Sequence, residues 1–228
     1  MASLAPQITE GFDSPSNRSE QLQQQFETII GDDHLHCRWL NTLSMLENVG
    51  ACKITESERY FRVTESVLKH AAEETRHAYY LKRQLRKLTD TGFDTYHPEY
   101  LINALASYRY IHKLDCRISR LLREDLGLTG GALRRHAYIL VTYAIEKRAD
   151  EIYGVYQACL KQQGSKVSVR GIIAEEEQHL AEMDRDIDAL FDQPERWKTQ
   201  VCAIEQALFA DWHQRLTAEL PIATASTN

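Results

Sequence analysis

The sequence predicts an all-α protein, and three observations lead there. Glycine and proline are sparse, 10 and 5 residues in 228, and they fall between segments whose apolar residues recur at helical spacing. Strand-length runs of alternating β-branched residues are hard to find. A six-residue motif, "AEETRH" at 72–77, returns as "AEEEQH" at 174–179, each time inside a long periodic segment.

Helices are expected near residues 19–30, 34–57, 61–89, 98–126, 132–162, 167–190 and 194–218. Pro98 and Pro194 suit first-turn positions, where no backbone N–H is missed. Gly127, Gly130, Gly131 and Gly164 suit loops that need unusual backbone angles. The periodic region 19–218 reads as one domain, with a disordered tail at 1–18 and a frayed one at 219–228.

The repeat sets the expected topology. Each copy lies on a long helix preceded by another long helix, which gives two helical hairpins. A crossover of roughly residues 90–131, with its own helix, joins them. That connectivity belongs to a four-helix bundle whose third helix starts at the far end, here with additional flanking helices.

Polar residues interrupt both apolar faces. In the first motif helix Val63, Val67, His70, Glu74, His77, Leu81, Leu85 and Leu88 project onto an arc of about 80°. In the second, Val169, Ile172, Glu176, His179, Met183, Ile187 and Leu190 do the same. Glu73 and Glu175 fall at the edge of the stripe and Glu177 points away, so Glu74 and Glu176 are the expected inward carboxylates. A buried carboxylate costs several kcal/mol unless positive charge compensates it. Two such patches ask for more positive charge than two imidazoles carry, and divalent metal supplies it. Glu-x-x-His places an oxygen and a nitrogen ligand on adjacent turns of one face, so each helix can hold one ion.

The preceding helices offer the remaining carboxylates. Ile139, Tyr143, Glu146, Asp150 and Tyr153 share a face, and Glu146 precedes Glu176 by 30 residues, with the midpoint beside Gly164. An antiparallel hairpin then levels the two acids. On the first helix Glu47 sits among Leu40, Leu43 and Ile54, and its 27-residue spacing to Glu74 demands a turn near residue 60. Against this, "TESE" at 55–58 resembles a capping box that would start the next helix near 56 and bring His36 or Asp33 to the required height instead.

Bulk properties narrow the class. A net charge of −6 argues against a dedicated nucleic-acid binder, although Lys82, Arg83, Arg86 and Lys87 cluster locally. The five cysteines are scattered without a CxxC pair, which suits reduced thiols. The first twenty residues lack a basic and apolar leader, and the longest apolar run, 137–145, is too short to span a bilayer. A soluble, cytoplasmic protein is expected.

Glu47, Glu74-x-x-His77, Glu146 and Glu176-x-x-His179 resemble the six-ligand pattern of the ferritin-like di-iron carboxylate superfamily, over roughly residues 34–190. The resemblance implies a four-helix core binding two iron ions, or manganese and iron, with chemistry driven by O2 or peroxide. It implies an oxidase or oxygenase acting on a small molecule with a separate electron donor, or a ferroxidase that handles iron; a tRNA hydroxylase is a variant that the net charge does not favour. A metal-free helical interaction protein is the remaining alternative. Missing rubredoxin-like cysteine pairs argue against a rubrerythrin with its own electron-transfer domain, and the extra helices suit the wall of a substrate pocket or a homodimer surface.

His70 departs from the pattern. It resembles the additional histidine ligand of ferritin-like N-oxygenases, where the extra residue lies on a different helix; it reads equally as a group hydrogen-bonding a ligand carboxylate. Tyr143 and Tyr153, flanking Glu146, are candidates to bond metal-held species or be oxidised, with satisfied core tyrosines as the plainer reading.

Overall fold

The computed structural model describes residues 15–58 and 62–221, and among these every regular element is helical: α1 (Pro15–Ile30), α2 (Asp33–Ser57), α3 (Glu65–Leu85), α4 (Ala104–Leu126), α5 (Gly130–Gln162), α6 (Arg170–Leu190) and α7 (Pro194–Glu219). The expected tails fall mostly outside the described residues, except that α1 begins at Pro15, inside the segment expected to be disordered, and α7 reaches Glu219. No described helix is long and apolar enough to cross a membrane.

Two expected boundaries move for local reasons. Thr64, not the "TESE" box, caps α3, its side chain accepting from the Val67 N–H. The box hydroxyls bond backwards within α2, Thr55 to the Ala51 carbonyl and Ser57 to that of Ile54, so α2 runs on through them. The expected helix 98–126 breaks into one 3-10 turn, Pro98–Tyr100, and α4. Between them Asn103 takes a left-handed φ of 52°. Its side chain donates to the Trp212 carbonyl and its backbone N–H to Glu219, which pins the break to α7.

Side-chain pairings give the helix directions. Lys69 meets Glu182 and Tyr80 meets the Ser168 carbonyl, so α3 and α6 run antiparallel. His70 pairs with Tyr138, and Glu74 approaches Glu146 further along, so α3 and α5 run parallel. Consecutive parallel bundle helices need a connection that travels back along the bundle, and α4 supplies it. α1 packs on α2 and α5, and α7 on α4 and α5.

The apolar core is divided. One cluster, with Phe26, Trp39, Tyr156, Ile172 and Trp212, fills the end nearer α1. The other, with Leu114, Ile118, Leu140, Met183 and Trp197, fills the end nearer the α6–α7 turn. On α6 Ile172 belongs to the first and Met183 to the second, and Glu176 and His179 lie between. The polar patches therefore sit at mid-height, with packed hydrocarbon above and below.

Candidate metal centre

Four helices converge on this level: α2 brings Glu47, α3 His70, Glu74 and His77, α5 Glu146, and α6 Glu176 and His179. α2 ends at Ser57 and α3 begins at Glu65, and Glu47 reaches the cluster. His36 instead meets the Tyr156 hydroxyl at 2.6 Å, and Asp33 sits in the first turn of α2.

Ligand-capable atoms gather into two groups, one of His70, Glu74, Glu146 and His179, the other of Glu47, Glu74, His77 and Glu176, each with its atoms within 4.8 Å of one another. Glu74 belongs to both. His77 Nδ1 lies 3.0 Å from Glu176 Oε1, and His179 Nδ1 3.1 Å from Glu176 Oε2. His70 Nε2 lies 3.2 Å from Glu74 Oε1 and 3.5 Å from Glu146 Oε1. Except for Glu47, which is slightly more open, all these residues are buried.

Three atoms of the set, His70 Nε2, Glu74 Oε1 and His77 Nδ1, are buried without a hydrogen-bond partner. Orphaned buried polar atoms are costly and uncommon. A cation among them would satisfy all three, and a mixed imidazole–carboxylate donor set suits a divalent metal ion.

Protons neutralise the cluster without metal. Burial, then the charges of neighbouring glutamates, raises Glu47 and Glu146 well above the usual carboxylate range. Burial alone would lower His77 and His179, but the Glu176 carboxylate beside both outweighs it and raises them, His179 to about 9. Burial would likewise raise Glu176; hydrogen bonding with Glu146 and His179 and the nearby His77 imidazole hold it below its ordinary value.

No family model, curated protein or solved structure matches this chain. The geometry of the cluster therefore has to carry the functional argument.

Groups outside the cluster fix the imidazoles. His77 Nε2 donates to Glu175 at 2.7 Å, and His179 Nε2 to Glu73 at 2.9 Å. Each acid precedes the inward glutamate of its own motif and reaches the histidine of the other. Both Nδ1 atoms are thereby turned toward the cluster. Arg76 braces Glu175 at 2.6 Å, and Lys69 lies 3.8 Å from Glu73. The repeat held the signal, since both copies carry the doubled glutamate, but the helical projection left Glu73 and Glu175 at the stripe's edge.

His70 is anchored by Tyr138, whose hydroxyl lies 2.8 Å from Nδ1. Tyr153 donates to Glu47 from full burial. Tyr143 does not join the cluster. It packs in the second hydrophobic cluster, with Cys202, Asp184 and Lys198 its electrostatic neighbours. On a helical wheel Tyr143 and Tyr138 lie about 60° and 80° to opposite sides of Glu146, and α5 turns the Tyr138 side toward α3. Asp150 is exposed on the outer face.

A cavity of about 280 Å³ opens onto this level, with Glu74 and Glu146 in its wall. α4 forms one side through Ile111, α5 another through Val141 and Ile145, and the C-terminal half of α2 a third through Gly50 and Ile54. A Cβ on Gly50 would stand 3.7 Å from Glu74 Oε2, so a longer side chain there would enter this inner end.

Proposed function

We propose that the chain is a di-metal oxidoreductase of the ferritin-like di-iron type, using two iron ions, or manganese with iron, to oxidise a small organic molecule with electrons from a separate donor. The observation that carries this reading is the pair of ligand groups sharing Glu74 beside a cavity whose wall includes Ile54, Ile111, Val141 and Ile145 among polar residues.

Glu47, His77 and Glu176 would hold one ion, His70, Glu146 and His179 the other, with Glu74 between them. Such a pair, when bound, supplies Lewis acidity and redox capacity toward O2 or peroxide. Carboxylates suit the task because they can bind through one oxygen or two as the charge on the ions changes. Glu73 and Glu175 keep each Nε2 protonated, leaving each Nδ1 lone pair to face inward. For His70 the polarity would reverse: with Nε2 turned to Glu74 and an ion, Nδ1–H would donate to the Tyr138 hydroxyl. Ile54, Ile111, Val141 and Ile145 exclude bulk water and hold an apolar substrate against Glu146.

Metal analysis of protein purified without chelator tests the reading. Wild type should carry about two ions per chain, and Glu176→Ala and His77→Ala should lose most of them. Unchanged iron and manganese in both variants would remove the centre. Aerobic Fe(II) titration then separates the classes: uptake that stops at about two ions per chain fits an oxygenase, and continued accumulation of ferric ion fits iron storage.

A further inference from the structure

The cavity runs along α5 from Arg134 to Glu146, lined at helical spacing by Ala137, Val141 and Ile145. That interval is about 18 Å of helix axis, enough for an extended chain of roughly ten carbons once the side chains at either end take their share. The inner end is buried and acidic, while Arg134 at the other end is exposed.

The outer wall carries Lys53, Glu56, Asp115 and Arg134, and Arg62 stands beside Arg134 without lining the cavity itself. Lys53 pairs with Asp115 at 2.6 Å and is spoken for. Among the described residues no carboxylate lies within ion-pair distance of Arg134 or Arg62. Yet Arg62 Nη1 and Arg134 Nη2 lie 3.4 and 3.9 Å from the point that a Cβ on Gly131 would occupy. Gly131 is in the first turn of α5, a 33-residue helix with no side-chain cap and no acid in that turn. Two guanidinium groups beside the positive end of a long helix repel one another, and an anion placed between them relieves the repulsion.

We propose that the cavity binds an elongated apolar molecule bearing a carboxylate at one end, with the carboxylate at Arg134 and Arg62 and the hydrocarbon directed toward Glu146. The assignment rests on the metal-centre reading only for what is oxidised; binding itself needs no metal. The oxidised carbon would then be remote from the carboxylate, because the anion is held at the far end of the cavity. Arg134 is a specificity residue in this scheme, and the apolar wall sets the length.

Equilibrium binding of decanoate, decan-1-ol and decylammonium to the full chain, by calorimetry below their micellar concentrations, tests it. Wild type should bind decanoate at least ten-fold tighter than decan-1-ol. Arg134→Gln should erase that preference while leaving decan-1-ol affinity and metal content unchanged. Val141→Trp should weaken both ligands. Equal decanoate affinity in wild type and Arg134→Gln, or preference for decylammonium, which would make exposed Glu56 the anchor, overturns the proposal. Undiminished binding in folded Val141→Trp overturns it too. Metal content is measured on the same samples, so a chain that binds decanoate but no metal loses the oxidoreductase reading and keeps this one. The reverse result does the opposite.

Discussion

Glu175 of α6 accepts a hydrogen bond from His77 Nε2 of α3 at 2.7 Å, reaching across the bundle to the other motif's histidine. Glu73 does the same for His179. Each motif therefore orients the other's histidine, and neither half of the cluster is set without its partner. Glu175→Gln and Glu73→Gln should each lower metal affinity by about 10- to 100-fold with the helical content unchanged. Competition against a chelator of known affinity measures this. Glu177→Gln, altering an exposed acid on the same helix, is the control expected to leave affinity where it was.

A metal ion at the cluster would compete with protons for the same atoms, which fixes the sign of the expected pH response. His77 and His179 are raised, and Glu47 and Glu146 hold protons that ligation must expel. Metal uptake near neutral pH should release protons, read from calorimetry in buffers of differing ionisation enthalpy. Uptake without proton release would contradict the raised histidines and glutamates. Metal-free protein should show the opposite trend in stability. A histidine whose folded pKa exceeds 6.5 contributes stability that is complete below 6.5 and lost as pH rises through about 9. For His179 that loss is up to about 3 kcal/mol. Chelated protein should therefore melt at lower temperature at pH 9 than at pH 6.5, and metal-loaded protein should resist the change.

Helix periodicity made the inward set legible, because a buried glutamate or histidine amid leucine and isoleucine stands out on a wheel. Glu74, His77, Glu146, Glu176 and His179 were identifiable on that ground alone. Glu47 needed the turn near residue 60, and local sequence argued against it; the Thr55 and Ser57 hydroxyls had another use, bonding back within α2. Glu73, Glu175 and Tyr138 were not legible. Their roles depend on which neighbour each helix edge faces, and interhelical rotation leaves no mark in the spacing of a single helix. The same reason separates Tyr138 from Tyr143. The left-handed Asn103 that ends the crossover's first segment was equally hidden, because its anchors lie on α7.

The tyrosines should divide by position. Tyr143→Phe removes a hydroxyl away from the cluster and should leave metal content and turnover unchanged. Tyr153→Phe removes the donor to Glu47, and Tyr138→Phe the anchor of His70. Each of the latter should lower affinity for the ion its partner would hold, by the worth of one buried hydrogen bond to a ligand, about 1–3 kcal/mol. Stepwise metal titration would distinguish them, Tyr153→Phe weakening the ion on the Glu47 side and Tyr138→Phe the one on the His70 side. Identical behaviour of Tyr143→Phe and Tyr138→Phe would mean that α5 is rotated from the arrangement described.

Acid sensitivity should come in part from a histidine outside the centre. His36 is buried, with its Nε2 2.6 Å from the Tyr156 hydroxyl. Burial lowers its pKa to about 4, with the charge of Asp33 pulling weakly the other way. Between pH 6.5 and 4 the unfolded chain binds a proton that the folded chain refuses, so stability is intact above 6.5 and falls as the pH drops toward 4. Each unit in that window costs about 1.4 kcal/mol, or roughly 2 kcal/mol by pH 5. His36→Gln keeps a group able to meet Tyr156 but cannot titrate. Urea unfolding of chelated wild type and His36→Gln at pH 7, 6 and 5 should show stability falling more steeply in wild type, the gap between the two curves narrowing by about 2 kcal/mol from pH 7 to pH 5. Parallel curves would show that folding does not lower the His36 pKa and that the acid sensitivity comes from other groups.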